Sequence, residues 1–247
     1  MNNNPLEQQQ LALAQGVGRV DLYGSIHKAL RMMMCDTLVA LGRVDVDDDR
    51  DVVRCVQRVF ELLEVCHAHL SHENRFVHPA LHARAQGSSD AAARDHAGHE
   101  RHIVQLSRMA GALVKSDAAQ RGLQLTGLYR ALSLFVAENF QHMAEEETRH
   151  NPVLWAHYSD AELMDLHNEL VASIAPPEML ATMRWMIPAC NPSELAEMLC
   201  GMQAQAPQAA FEAVLDTVRP HLDDREWASL AQALGRAPQP GLVGAAG

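Results

Sequence analysis

The chain has 247 residues, 48% of them hydrophobic and 21% charged, enough to bury a core and leave room for a second, smaller domain. Twenty Lys+Arg against thirty-one Asp+Glu give a net charge of -11, which disfavours nucleic acid and anionic membrane as partners. No apolar run approaches the ~20 residues of a membrane span, and the opening residues lack the pattern of a signal peptide. Five cysteines without a CxxC pair fit a reducing, cytoplasmic setting.

Residues 1–19 read as a flexible tail. Beyond them, apolar residues recur at i, i+3, i+4 and i+7 through every long stretch, and strand-like alternation is scarce. Helices are expected over 20–41, stopped by Gly42, and over 45–82, starting in the acidic run 45–51. Two more are expected over 91–114 and 118–150. Short loops between long helices predict an all-α fold in which residues 20–156 form an up-down-up-down four-helix bundle. Past that point Pro176, Pro177, Pro188, Pro192, Pro207 and Pro220 cut residues 159–235 into short helices, one of them capped by Asn191. This smaller helical extension holds no nucleotide loop or catalytic triad. Packing on the bundle, homodimerisation or signal reception are the roles open to it. Residues 236–247 read as a second tail.

Fourteen histidines, thirteen of them before residue 170, are the anomaly in the composition. Their positions form a repeat. A single offset carries His69 onto His142, Glu73 onto Glu146, Pro79 onto Pro152 and Leu81 onto Leu154. The unit extends backwards: the interval from His27 to His69 is nearly the same as that from His99 to His142. Each unit is a helical hairpin whose first helix carries one His and whose second carries His-x3-Glu followed by Pro.

Residues i and i+4 share a helix face, so each His-x3-Glu pair can point into the bundle. Four imidazoles and two carboxylates inside a bundle cost several kcal/mol unless something satisfies them. A pair of metal ions does so. Each takes two His nitrogens, the two carboxylates bridge, and a solvent oxygen completes the pair. Mixed imidazole and carboxylate ligands with an open position suit iron better than structural zinc.

The doubled His-x3-Glu motif, with Pro ten residues after each His, resembles the hemerythrin-like, or HHE cation-binding, family over about half the chain. The resemblance implies a four-helix bundle holding an oxo- or hydroxo-bridged di-iron centre with ligands His27, His69, Glu73, His99, His142 and Glu146. It implies a diatomic or peroxide ligand: O2, NO or H2O2. Ile103 stands where the oxygen-carrying hemerythrins place a further His, which favours a generic bacterial role over oxygen transport. The function expected is binding or sensing of such a ligand. The alternatives are a di-iron oxidase, peroxidase or NO-detoxifying enzyme, and an iron-sensing interaction protein.

A single His-x3-Glu is weak, and His96 with Glu100 forms another without the proline. His96, His99 and His102 are spaced by three, so any of them can face the site; the repeat offset favours His99. His67, His72, His78 and His82 read as solvated or half-buried polar residues, Cys66 as a small core residue, and Tyr23 as a packing residue beside His27.

Overall fold

The computed structural model describes residues 5–236, and among these every regular element is helical, with no strand. The chain divides between Ala175 and Pro176 into two compact units.

The first unit holds α1 (Pro5–Gln15), α2 (Gly24–Gly42), α3 (Asp49–His72), α4 (His78–Arg84), α5 (Asp90–Lys115), α6 (Ala118–Glu145), α7 (Asn151–His157) and α8 (Asp160–Ser173). α2 packs on α3 and α6, and α5 packs on the same two helices. The acidic run starts α3 as expected, with the Asp48 carboxylate accepting from the Arg50 N–H at 2.8 Å. Asp117 caps α6 in the same way through Gln120. Leu30 and Met34 of α2, Leu62 of α3, Leu106 of α5 and Leu132 and Phe135 of α6 are fully buried and fill the core.

Pro79 and Pro152 do not end their helices. Each lies in a helix that passes through one π-helical turn, Glu73–Val77 and Glu146–His150, and continues as α4 or α7. Proline lacks an N–H and its ring collides with the carbonyl four residues earlier, so an α-helix cannot run through it unstrained. One extra residue in the turn relieves both problems. The His78 N–H then bonds the Glu73 carbonyl, and the Asn151 N–H bonds the Glu146 carbonyl. The two π turns are related by the same offset as the motif itself, so the prolines explain why each glutamate opens a widened turn.

Two boundaries differ from the sequence reading. Residues 5–15, expected as tail, form α1, which packs on the second π turn and on α7. Gly16 follows it because a Cβ there would run into the Trp155 ring. Helix α8, expected in the C-terminal region, belongs to the first unit. Leu163 is fully buried in a cluster with Tyr23, Val77, Leu81 and Leu154. Asp160 pairs with Arg19 at 2.9 Å, and Glu162 pairs with Arg84, whose guanidinium lies 3.8 Å from the Tyr158 ring centroid.

The second unit is α9 (Pro176–Ala189), α10 (Pro192–Gln205), α11 (Gln208–Val218), a 3-10 turn (Arg219–His221) and α12 (Asp224–Ala233). It has its own core, including Ile187, Leu199, Phe211 and Val218. Asn191 caps α10 as expected, in a reciprocal box with Glu194, and Asp223 does the same for α12 with Glu226. Arg236, expected in the tail, is ion-paired to Glu212 at 2.6 Å; the rest of that tail and residues 1–4 lie outside the described residues.

Separate cores predict separate tolerance. A chain ending at Ala175 will melt cooperatively. A chain ending at residue 158 loses the buried Leu163, worth about 2–3 kcal/mol, together with its flanking ion pairs. It will melt roughly 5 °C lower or more. Equal melting temperatures would return α8 to the C-terminal region.

Candidate metal centre

Six side chains from six segments converge in the first unit. His27 comes from α2, His69 from the last turn of α3, His96 from α5 and His142 from the end of α6. Glu73 and Glu146 open the two π turns. All six are buried or nearly so. They form two groups that share both carboxylates: His27, His69, Glu73 and Glu146, and then His96, His142, Glu73 and Glu146.

Each carboxylate divides its oxygens between the groups. Glu73 turns Oε1 towards His69 Nε2 at 3.2 Å and His27 Nε2 at 3.7 Å, and Oε2 towards His96 Nε2 at 3.4 Å. Glu146 turns Oε2 towards His27 Nε2 at 3.5 Å, and Oε1 towards His142 Nε2 at 3.2 Å and His96 Nε2 at 3.6 Å. These gaps are too long for good hydrogen bonds. Both oxygens of both glutamates, and Nε2 of His27 and His69, have no hydrogen-bond partner. Two donors each about 2.1 Å from one cation and roughly at right angles would be about 3 Å apart. The separations and the orphaned atoms therefore fit side chains that could hold a metal ion.

Residues around the cluster aim the imidazoles. His27 Nδ1 lies 2.9 Å from Glu147 Oε1, and His96 Nδ1 lies 2.8 Å from Asn74 Oδ1. Both partners are acceptors, so Nδ1 carries the proton and Nε2 faces inward as the donor atom. The close pair His96 Nε2 and His142 Nε2, at 2.9 Å, is then either one N–H···N bond or two lone pairs turned to one cation.

Without a metal, protons take its place. Burial pulls His27 down, but Glu147, Glu73 and Glu146 outweigh it and raise the imidazole to about 9. His96 rises to about 9 against the same burial, through Glu146 and Glu73. Burial also pushes both glutamates up, yet the imidazoles hold Glu73, through His69 first, well below its ordinary range. Glu146, pushed up by burial and by Glu73, is held at about 2 by His142 and His96. Burial lowers His69, His78 and His99 to about 4.

The signs give a pH profile for metal-free protein. His27 and His96 contribute stability that is fully present below their unfolded value near 6.5 and is lost as pH rises through about 9. His69, His78 and His99 bind protons more readily when unfolded, so stability also falls as pH drops from 6.5 towards 4. Metal-free protein should therefore be most stable near pH 6.5, with losses on the order of 1–3 kcal/mol per group on each side. Melting temperatures from pH 5 to pH 9 check this. A monotonic rise to pH 9 would contradict it.

The structure brings five of the six expected ligands together and replaces the sixth. His96, not His99, reaches the carboxylates. His99 is buried one helical turn further along α5, its ring 4.9 Å from that of His142 and 6.1 Å from that of Phe135, with Nδ1 unpaired. His102 pairs with Glu138 at 2.9 Å on the surface. The repeat offset misleads here because the two hairpins differ in register between first and second helices.

Two further histidines lie against the site. His78, expected to be solvated or half-buried, is buried and stacks on His96 with ring centroids 4.8 Å apart. His150 is buried, and its Nδ1 lies 3.0 Å from the Tyr23 hydroxyl and 4.0 Å from Glu146 Oε1. His78, His150 and Glu146 form a third group of metal-ligand type. The signal for His150 is its place four residues after Glu146, at the end of the π turn. Cys66 is core, as expected; burial raises its thiol to about 12, which makes it inert. A small cavity of about 50 Å³ reaches the cluster past Ser88, Asp95, His142, Glu146, Arg149 and His150.

Compared with family models, with curated proteins and with solved structures, the chain has no match.

Proposed function

We propose that the first unit is an up-down-up-down four-helix bundle of the hemerythrin-like kind that holds two iron ions and binds a diatomic or peroxide ligand: O2, NO or H2O2. The observation that carries this reading is the division of each carboxylate between the two histidine groups, Glu73 Oε1 and Glu146 Oε2 on one side, Glu73 Oε2 and Glu146 Oε1 on the other. A closed tetrahedral site has no use for two such bridges. The cyclic packing of α2, α3, α5 and α6 supports the bundle.

His27, His69, His96 and His142 would supply nitrogen, and Glu73 and Glu146 would bridge. When bound, iron supplies a redox-active Lewis acid with a position for an added ligand. The chain does the rest. Glu147 and Asn74 fix the imidazole tautomers. The buried Tyr23 hydroxyl lies 3.0 Å from His150 Nδ1, which in turn is 4.0 Å from Glu146 Oε1. The cavity of about 50 Å³ admits a few heavy atoms and excludes a bulky organic substrate. That size favours binding or sensing of a small ligand over oxidation of a large one.

Azide is a fitting probe, being a small anion that ligates iron. Added to iron-loaded protein, it will change the optical spectrum in a saturable way. An unchanged spectrum at high azide, in protein shown to contain iron, would mean that the metals have no accessible position.

A further inference from the structure

We infer that the residues following the two glutamates, Asn74 and Glu147, make the two metal positions unequal, so that the His27–His69 position holds its cation more tightly than the His96–His142 position. This rests on the two-metal reading. Asn74 and Glu147 each directly follow a bridging glutamate, so they are the same position of the repeat. Each crosses to the other hairpin: Glu147, after α6, takes the Nδ1–H of His27 on α2, and Asn74, after α3, takes the Nδ1–H of His96 on α5. The architecture is symmetric and the chemistry is not.

A hydrogen bond to a carboxylate is roughly twice as strong as one to a neutral carbonyl, and it moves electron density through the ring towards Nε2. His27 is therefore the better donor to a cation. Arg31 contacts Glu147 Oε1 at 2.6 Å and Oε2 at 3.1 Å, which fixes the carboxylate and offsets part of its charge without displacing it from His27. On the other side a carboxylate also approaches: Asp95 Oδ2 is 3.6 Å from His142 Nδ1. That distance is beyond hydrogen-bond reach, and Asp95 is 51% exposed, so water screens it. Partners of this kind commonly change metal affinity by about 10–100-fold.

The test is a zinc(II) titration of full-length metal-free protein against a chromophoric chelator, which yields two stepwise constants. Wild type should bind two zinc ions in steps separated by about tenfold or more beyond the statistical ratio for identical sites. Glu147→Gln is isosteric and should weaken the tight step by about tenfold or more while leaving the weak step in place. Asn74→Asp should strengthen the weak step and narrow the gap, an effect that a damaged fold cannot produce. Two zinc ions bound with equal intrinsic constants, or Glu147→Gln weakening both steps alike, would overturn the inference while leaving the two-metal reading intact. Failure of wild type to bind a second ion would overturn the two-metal reading itself, and the inference with it.

Discussion

His96→Ala will lower bound metal from two ions per chain to about one, whereas His99→Ala will leave metal content unchanged. His96 Nε2 lies within 3.6 Å of an oxygen from each glutamate and 2.9 Å from His142 Nε2. Removing it strips one group to a single imidazole and two shared oxygens, too few to hold iron against water. His99 touches neither carboxylate. Its loss opens a cavity beside Phe135 and His142 and costs about 1–3 kcal/mol of stability. Elemental analysis of the two purified variants, with melting curves alongside, separates these effects. Metal loss in His99→Ala with retention in His96→Ala would shift α5 by one turn and restore the ligand expected from the repeat.

Metal removal should have the second large effect. Glu73 and Glu146 are buried with both oxygens of each lacking a hydrogen-bond partner, and the unfolded chain has no preformed site. Each ion held at a hundred times its Kd adds about 2.7 kcal/mol to folding. For two ions and a unit of this size, stripping should lower the melting temperature by roughly 10 °C or more. Glu73→Ala and Glu146→Ala should each abolish the shift between loaded and stripped protein, because each removes one oxygen from both positions. Glu100→Ala, in the decoy His-x3-Glu, should preserve it. A Glu146→Ala variant that still gains full stability from metal would contradict the shared bridge.

The all-helical fold and the paired glutamates were legible in the sequence for the same reason. Helical periodicity and the i,i+4 motif are both local, and the internal repeat doubled a weak local signal. His27, which lacks a local motif, was found only through the repeat. The same reasoning failed on α5, where histidines three apart lie one turn apart along the helix. Which of them meets the carboxylates is set by packing of α5 on α3 and α6, not by residues near His96. A helix running past Pro79 was expected, whereas α7 beyond Pro152 was not, and the π turns that let both helices pass a proline carry no local sequence signal of their own. His150 was missed because it joins the site only through that widened turn, and α8 was misplaced because its partners Arg19, Arg84 and Tyr23 are distant in sequence.

The central claim is two bridged iron ions held by His27, His69, His96, His142, Glu73 and Glu146. Elemental analysis of full-length protein, purified without chelators from iron-sufficient cells and normalised to chain concentration, tests it most directly. Close to two irons per chain is the expected result. A single tightly held zinc in place of iron, or a stoichiometry of one metal that added iron does not raise, would contradict it.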